Sequence, residues 1–409
     1  MRILYVSQYF PPEMGAPSVR VSELCRHFRD AGHDARVLTG FPHHPGGRIY
    51  PGYRTRLWKL FDREDYGGVP VYRTWLYPAA NRGVVRRSAN YASFCASAAL
   101  RGSLLDFRPD VVIGTSPQLL CAAAGEWIAR RHGARFVFEV RDLWPESLVA
   151  VKACTETSFL YRSLDRLANR LYRRAWKTVV VTDESRRSLA ERGVATRVAV
   201  VKNGVDTDRF RPDVAPAALP ETAGKFVVSY IGTLGMAHSV STLLEAAGLL
   251  RARPDIHFLV IGNGSERQPL VRLRRERGLA NVTLLDQQPW ESIPSYLALS
   301  GAAVVHLKRS PLFETVLPSK LFESMASGRP VILGVRGEAE RLLTEAQAGM
   351  VCEPESPAAL CQAVTRLAGD PVLRCRLGQN GRDWVLQNAS YRRRAAEYLE
   401  ALAPEPRHG

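Results

Sequence analysis

The clearest candidates for ligand binding in this chain lie in the segment 313–332. Its pattern predicts a loop, a helix that begins near Pro318, a glycine stop and a strand. A helix start leaves backbone N–H groups free, and the helix dipole and Lys320 add positive potential, so a diphosphate would bind well there. Glu323 follows Ser319 by four residues on the same helix face, where a carboxylate can accept hydrogen bonds from two ribose hydroxyls. The alternative is a surface Glu323 paired with a neighbouring cation.

Two loops that follow the first and second strands hold further candidates. Ligands bind beyond the carboxyl ends of the strands in an open parallel sheet. Gly15 stands at such a place directly before a helix, where the backbone can approach a ligand closely. The alternative there is an ordinary strand-to-helix turn. His43 and His44 follow the second strand and would open into the same cleft as Gly15, although adjacent loop histidines are more often only solvated.

Arg141, Asp142 and Glu146 form a cluster of ionisable residues beside Trp144, again after a buried strand. Ionisable groups at such a strand end suggest contact with a substrate. The alternative is structural pairing of Arg141 with Asp142 or Glu146.

Metal and cofactor patterns are weak in this chain. Asp206 and Asp208 have a spacing that could hold a divalent cation on a diphosphate. They follow the turn pair Asn203-Gly204, which favours a closed turn instead. The Gly-x-Gly-x-x-Gly pattern of dinucleotide binding is missing. We therefore predict no metal and no cofactor.

The elements that must position these residues alternate along the whole chain. Short β-branched runs are separated by helical patterns, which indicates parallel sheets covered by helices on both faces. The pattern restarts once, after a proline-containing segment. We predict an α/β fold of two doubly wound, Rossmann-like domains. The predicted boundaries are a first domain at 1–204, a linker at 205–224, a second domain at 225–380, and a helix and tail at 381–409 that can cross back to the first domain.

The charge is unevenly divided between the two halves. The 409 residues carry a formal net charge of +16, of which residues 1–212 hold +14 and residues 213–409 hold +2. Such a field favours an anionic partner, which can be nucleic acid, an acidic membrane leaflet or a phosphorylated substrate. An apolar fraction of 46% excludes a disordered chain. Seven scattered cysteines, with neither a signal-peptide core nor a membrane span, predict a cytoplasmic protein.

Together the motifs resemble the family-4 retaining glycosyltransferases of GT-B fold. In that family a helix carries Glu-Ala/Ser-Met-Ala-x-Gly-x-Pro-Val, and residues 323–331 read Glu-Ser-Met-Ala-Ser-Gly-Arg-Pro-Val. The resemblance extends over most of the chain through the motifs at 11–15, 203–206, 230–232 and 262–264. A closer resemblance, to the subgroup that builds O-antigen, colanic acid and related surface polysaccharides and includes acetamido-sugar transferases, rests on 317–320, 141–146 and 42–53.

The resemblance implies that the two Rossmann-like domains face a central cleft and that Glu323 binds the donor ribose. Two cations that grip the donor diphosphate in the family align with Thr233 and His238. We expect Lys320 and the backbone near Gly235 to take their place. The other expected donor contacts are Ser319, Leu321, Gly15, Thr233 and His238.

One further departure concerns the donor sugar. The family's first Glu, which is usually assigned to the sugar, aligns with Thr315, one position after Glu314. Recognition of a particular hexose is therefore not carried over to this chain.

The resemblance implies transfer of a sugar from a nucleotide diphosphate sugar, with uridine as the preferred nucleotide, to a lipid-diphosphate-linked acceptor with retention at the anomeric carbon. The alternative is a nucleotide-sugar epimerase or another GT-B enzyme without a lipid acceptor. Asp142, Glu146 and His44 are the candidate catalytic residues that would orient the acceptor. Arg141 and His43 are the candidate acceptor contacts.

Two groups of arginines suggest a partner for the basic first half. Basic, partly apolar helices can dock on an anionic inner leaflet, at about 1 kcal/mol per cation near the surface. The alternative is an arginine-rich solvated face. We predict a peripheral protein at the inner face of the cytoplasmic membrane, and no nucleic-acid partner because no recognised binding motif is present. The two groups are Arg82, Arg86, Arg87, Arg101 and Arg108, around the apolar stretch 88–107, and Arg162, Arg166, Arg170, Arg173 and Arg174, at helical spacing.

Overall fold

The structure is a computed structural model, and it describes residues 1–13, 15–44, 46–53, 60–80, 84–116, 118–150, 154–194 and 197–403. The chain divides into two units. The first comprises Met1–Lys202 and the segment from Tyr391 onward, and the second comprises Asn203–Ser390.

The first unit is built around an eight-stranded sheet. The strands are β1 (Arg2–Val6), β2 (Asp34–Gly40), β3 (Phe61–Tyr66), β4 (Val69–Thr74), β5 (Val111–Thr115), β6 (Arg135–Val140), β7 (Lys177–Val180) and β8 (Val198–Val200). The helices between them are α1 (Ala16–Asp30), α2 (Val84–Ser103), α3 (Leu119–His132), α4 (Glu146–Ala150), α5 (Phe159–Arg174) and α6 (Asp183–Glu191). The strand order is β3-β4-β2-β1-β5-β6-β7-β8, and all pairs are parallel except β3 with β4.

The second unit is built around a six-stranded sheet. Its strands are β9 (Phe226–Ile231), β10 (Ile256–Ile261), β11 (Val282–Leu285), β12 (Ala302–His306), β13 (Val331–Gly334) and β14 (Gly349–Val351). Its helices are α7 (Ser241–Leu249), α8 (Arg267–Glu276), α9 (Ile293–Leu299), α10 (Ser319–Ala326), α11 (Glu338–Glu345), α12 (Pro357–Gly369) and α13 (Pro371–Asn388). The order is β11-β10-β9-β12-β13-β14 with every pair parallel. The structure therefore confirms the predicted architecture of two parallel sheets covered by helices.

The central strands owe their burial to uninterrupted apolar runs. Every residue of β10 and β12 is buried, as expected for strands covered by helices on both faces. Strand β3 escaped prediction because its sequence, Phe-Asp-Arg-Glu-Asp-Tyr, is polar and its residues are largely exposed at the edge of the sheet. Charged residues are common on such edges.

Residues 205–224, predicted to form a linker, belong to the second unit. Phe210 is buried in its core, and the N–H of Val205 donates to the carbonyl of Ala389 at 2.9 Å. The Nη1 of Arg382 donates to the carbonyls of Thr207 and Phe210, at 3.1 and 2.7 Å. These bonds hold the segment against helix α13, so its proline content marks an irregular path on the domain surface and not a free connection.

The last helix, α14 (Tyr391–Leu402), belongs to the first unit, whereas α13 belongs to the second. The predicted boundary at 381 therefore lies inside a helix, and the chain returns between Ser390 and Tyr391. Tyr398 is fully buried, and its ring lies 5.6 Å from that of Phe28 in an edge-to-face arrangement. Burial of this aromatic residue ties α14 to α1.

Candidate functional site

Helix α10 places Lys320 and Glu323 on one side of a small pocket in the second unit. The Nζ of Lys320 donates to the hydroxyl of Tyr230 at 2.8 Å and lies 4.0 Å from the centre of its ring. Lys320, Glu323 and Ser324 line the pocket, and its other walls come from β9, β12 and α9. The structure thus brings together the two residues of α10 that the sequence singled out.

Burial weakens the charges of this pair. Desolvation lowers the pKa of Lys320 to about 7, and the nearby Glu323 carboxylate limits the fall. Desolvation likewise raises the pKa of Glu323 to about 7, and Lys320 limits the rise. Both groups therefore change their charge easily near neutral pH. A ligand that brings its own charge can fix the protonation of either one.

The loop at 232–238, which follows β9, turns its carbonyl groups toward the protein. Five of these carbonyls accept hydrogen bonds. Side chains donate to two of them: the Tyr230 hydroxyl to Thr233 and Nδ1 of His306 to His238, each at 2.8 Å. Backbone N–H groups donate to the other three: Glu266 to Leu234 (2.8 Å), His238 to Gly235 (3.0 Å) and Lys308 to Ala237 (2.8 Å). Within the described residues, the N–H groups of Thr233, Gly235, Met236 and Ala237 have no acceptor. Unpaired N–H groups in sequence form a concave site for anions.

Glycines allow this loop to pack closely on its surroundings. A Cβ at Gly262 would lie 1.9 Å from the carbonyl oxygen of Gly232, and one at Gly264 would lie 2.3 Å from that of Leu234. A Cβ at Gly232 would lie 2.8 Å from Nζ of Lys320. Only glycine leaves room for the loop and for the lysine side chain, which explains the Gly-Asn-Gly motif after β10.

His238 does not replace a missing cation. Burial, and then the charge of Lys320, lower the pKa of His238 to about 3, so its imidazole is neutral at pH 7. Its Nδ1 is buried and has no partner among the described residues. His238 can therefore offer a hydrogen bond, but no charge, to a ligand at the loop.

Two other predicted donor residues of α10 differ in their exposure. Ser319 is its first residue and is partly exposed, and no side chain caps this helix start. The Leu321 side chain is fully buried in the apolar core, and its N–H donates to the carbonyl of Pro318 at 3.1 Å. The donor contact predicted for Leu321 is therefore corrected to a packing role, because the inward face of α10 must cover the sheet.

In the first unit, a buried carboxylate shapes the loop that carries the two histidines. Glu13 is 3% exposed, and its Oε1 accepts the N–H groups of His43 and His44, each at 2.8 Å. Burial raises the pKa of Glu13 to about 7, although these two bonds limit the rise. Its Oε2 is buried without a partner in the described part of the chain. Glu13 was visible in the sequence only as part of the Pro-Pro-Glu motif.

The ring of His43 is used entirely by the protein. Its Nδ1 lies 3.0 Å from the carbonyl of Phe41, which can only accept, so Nδ1 carries the proton. Its Nε2 then accepts from Nδ2 of Asn90 at 3.0 Å. The ring is 1% exposed and burial lowers its pKa. The acceptor contact predicted for His43 is therefore corrected to a supporting role.

His44 remains accessible beside it. The residue is partly exposed, and its ring meets that of Tyr9 edge to face at 5.1 Å. Burial, and then His43, lower the pKa of His44 to about 4, so the ring is neutral at pH 7. Gly15 is the residue directly before α1, at the same edge of the sheet. Its φ is 147°, a backbone angle that favours glycine.

The cluster after β6 splits into two kinds of residue. The Nε of Arg141 donates to the carbonyl of Ser116 at 2.8 Å, and burial raises the pKa of the neighbouring Asp142. Glu146 forms an ion pair with Arg192. Glu146 is therefore in a structural ion pair, but its partner is Arg192, 46 positions away, and not the Arg141 that the sequence alternative named.

A buried ion pair that sequence reasoning missed lies beneath this edge. The Nε of Arg20 donates to Oε1 of Glu139 at 2.9 Å, with both side chains almost fully buried. Arg20 also donates to the carbonyls of Val201 and Lys202, at 3.0 and 2.9 Å. Arg20 lies on α1 and Glu139 within an apolar strand run, so no local pattern connects them.

Two broader features bear on cofactor and membrane. No three His, Cys, Asp or Glu side chains of the described residues lie together as metal ligands do. Asp206 closes a turn, as favoured from sequence, by accepting the N–H groups of Asp208 and Arg209, both at 3.1 Å. None of the helices described here is long and apolar enough to cross a bilayer.

Known protein families cover both units. Residues 15–204 match the model of a glycosyl transferase 4-like domain, and residues 213–384 match that of glycosyl transferases group 1. The chain is a family-4 glycosyltransferase. The resemblance inferred from its motifs is thereby confirmed.

Similar proteins agree with this family. The glycosyltransferase is 27% identical to the putative colanic acid biosynthesis glycosyl transferase WcaI of Escherichia coli, over 89% of this chain and 91% of WcaI. It is 31% identical to a GDP-mannose-dependent phosphatidylinositol monomannoside mannosyltransferase of Mycolicibacterium smegmatis, over 49% of this chain and 54% of that one. The crystal structure of Anabaena HepE with UDP and glucose superimposes with a TM-score of 0.71 at 18% identity, over 98% of this chain and 99% of HepE. The last match confirms the GT-B fold.

Proposed function

We propose that this glycosyltransferase moves a sugar from a UDP sugar to a lipid-diphosphate-linked glycan, with retention at the anomeric carbon, in the synthesis of a surface polysaccharide. The donor sugar can be an acetamido sugar. The observation that carries the donor half of this proposal is the loop at 232–238, which has free N–H groups and whose first residue, Gly232, lies against the amine of Lys320. The similarity to WcaI over almost the whole of both chains supports the acceptor half.

The proposed diphosphate contacts supply what the reaction needs most. Cleavage of the bond between the anomeric carbon and the phosphate oxygen leaves negative charge on the nucleoside diphosphate. Lys320, the start of α10 and the N–H groups of Thr233 and Gly235 would stabilise that charge, and a preorganised set of donors is worth more than the same donors in water. Glu323 would hold the ribose through its hydroxyls.

The acceptor supplies the nucleophile. In a front-face reaction its hydroxyl attacks from the side that the diphosphate leaves, and its proton passes to the departing phosphate oxygen, so no protein base is obligatory. Asp142 and the neutral ring of His44 are the residues we propose to orient the acceptor, with Arg141 beside them. The ion pair of Glu146 with Arg192 makes it a support for this region.

The acceptor also suggests where the enzyme works. We propose that it docks on the anionic inner face of the cytoplasmic membrane through a surface that we call the α5 surface. This surface consists of Trp127 of α3 and of Phe159, Leu160, Arg162, Arg166 and Arg173 of α5. Phe159 is 82% and Trp127 is 55% exposed. The three arginines are exposed, with no ion-pair partner among the described residues. Exposed aromatics beside cations are typical of surfaces that bind membranes.

The α2 group of arginines contributes less to this surface than predicted. The guanidinium of Arg101 lies 5.4 Å from the ring of Phe61 and 5.6 Å from that of Tyr72. Arg87 lies over the ring of Tyr91 at 5.8 Å. Arg82 lies outside the described residues. Arg86 and Arg108 remain exposed with no ion-pair partner among the described residues, whereas Arg170 and Arg174 of the α5 group pair with Glu126.

A GDP-mannose donor is the second candidate, because the mannosyltransferase relative is the more identical of the two over the region that it covers. A thermal-shift screen of UDP, GDP and their sugars separates the two donors.

Transfer to a short synthetic lipid-diphosphate sugar, with the new anomeric configuration assigned by NMR, then tests acceptor and retention. Addition of EDTA tests the expectation that no metal takes part. A product that forms without any acceptor would instead support the epimerase alternative.

A further inference from the structure

Tyr230 connects the two halves of the candidate donor site. It is the fifth residue of β9 and is fully buried. Its hydroxyl is bonded both to Nζ of Lys320 and to the carbonyl of Thr233, each at 2.8 Å. These two partners belong to helix α10 and to the loop at 232–238, the elements proposed to hold the donor diphosphate.

The direction of both bonds follows from their chemistry. A carbonyl oxygen can only accept, so the phenol proton of Tyr230 points to Thr233. The phenol oxygen then has lone pairs left, and Lys320 must donate to one of them. Burial raises the pKa of Tyr230 far above neutrality, so the proton stays in place at any physiological pH. Tyr230 therefore holds both partners in one fixed arrangement.

The surroundings of Lys320 leave its amine few other positions. The ring of Tyr230 lies below Nζ, and the missing side chain of Gly232 leaves the space in which Nζ sits. Tyr230 is the hydrogen-bond acceptor of Nζ among the described residues, which leaves the other N–H bonds of the amine for a ligand. Without the phenol oxygen, the four-carbon side chain would explore several rotamers, and ordering it again would weaken ligand binding.

We propose that Tyr230 is a positioning residue that presents Lys320 to the donor diphosphate. It acts through Lys320 and touches no reacting atom itself. This inference rests on the proposed function, because it needs a nucleoside diphosphate at that site. Tyr230 stands in the 230–232 motif that carries the family resemblance, but that motif gives no indication of its contact with Lys320.

The test is a double-mutant cycle read out by the affinity for UDP, with GDP in a parallel arm. Tyr230→Phe keeps the ring and removes the oxygen, and Lys320→Met keeps the length and removes the amine. Tyr230→Phe should weaken UDP binding about tenfold in the wild-type background, in line with the loss of a charge-assisted hydrogen bond. In the Lys320→Met background the same change should cost less than about threefold. Tyr172→Phe is the control, because Tyr172 is a buried tyrosine of the first unit.

The outcomes separate this inference from the proposed function. Binding of neither UDP nor GDP to the wild type would overturn both. Wild-type binding with an unchanged Tyr230→Phe variant, or the same loss from Tyr230→Phe in both backgrounds, would overturn the positioning role alone. If Tyr230→Phe does not fold, Lys320→Arg decides. It keeps the charge but not the fit beside Gly232, so near-wild-type affinity of that variant would show that positioning is not needed.

Discussion

At the residue scale, Lys320 couples ligand binding to pH. Desolvation lowers its pKa to about 7, so the free protein carries the charged amine below pH 7 and loses it above. Because the charged form is the one that binds a diphosphate, we expect the contribution of Lys320 to UDP affinity to fall as the pH rises from 6.5 to 8.5, whereas Glu323, whose pKa is also about 7, gains its charge over the same range. The fall cannot exceed tenfold per pH unit for one proton.

Titration calorimetry of wild type and Lys320→Met across this range measures the effect. Lys320→Met should bind UDP about tenfold or more weakly than wild type at pH 6.5, and this difference should shrink towards pH 8.5 because only the wild type loses an amine charge. Lys225→Met removes an exposed lysine of the same unit and is the control. Equal pH dependence in wild type and Lys320→Met would assign the proton to another group.

Glu13 makes a second prediction, on stability. Its folded pKa is raised to about 7 from an ordinary value of 4.5. The folded state therefore binds the proton more tightly, and this contribution to stability is full below pH 4.5 and is lost as the pH rises through 7. Glu13→Gln stays neutral and keeps an oxygen that can accept the two N–H groups.

We expect Glu13→Gln to raise the melting temperature relative to wild type at pH 8 and to leave it nearly unchanged at pH 5. For a unit of this size, about 1 kcal/mol corresponds to about 2–4 °C. Glu13→Ala should lower the melting temperature at both pH values, because it leaves the loop N–H groups without their acceptor. A stability difference between wild type and Glu13→Gln that does not vary with pH would contradict the raised pKa.

At the scale of elements, α14 is the last part of the chain but a component of the first unit. Tyr398 is its fully buried anchor against Phe28. Tyr398→Ala should cost about 3–5 kcal/mol of unfolding free energy, because it removes a large buried side chain and leaves a cavity. Urea denaturation followed by tryptophan fluorescence measures it. Glu400→Ala, an exposed change in the same helix, should stay within about 0.5 kcal/mol, and a similarly small effect of Tyr398→Ala would mean that α14 is not docked.

At the scale of the whole molecule, the net charge of +16 has a local meaning. Changing Arg162, Arg166 and Arg173 together to Gln should reduce binding to vesicles that contain anionic phosphatidylglycerol by about 100-fold, since each cation near such a surface contributes about 1 kcal/mol. Flotation with anionic and with neutral vesicles measures this. The control changes Arg272, Arg274 and Arg275 to Gln, three exposed arginines of α8 in the second unit. Equal loss in both triple variants would mean that only net charge matters, and no wild-type binding would end the membrane proposal.

Local patterns were sufficient for much of this protein. The alternation of β-branched runs with amphipathic helices predicted both sheets, because burial on two faces demands near-continuous apolar strands. The start of α10, its glycine stop and the strand after it are also local, so Lys320 and Glu323 could be named from their spacing. The same holds for the turn at Asp206, whose side chain bonds to residues two and three positions later.

The remaining features depend on residues that are distant in sequence. Tyr230 meets Lys320 across 90 positions, and Arg20 meets Glu139 across 119. Periodicity and short-range spacing were enough to establish the two-sheet architecture, the family and the motif helix. The burial of Leu321 and His43, the place of 205–224 within a domain and the bond from Lys320 to Tyr230 are visible only in the folded protein. Burial and the partners of a polar group depend on which distant strands and helices meet, and no local pattern encodes that meeting.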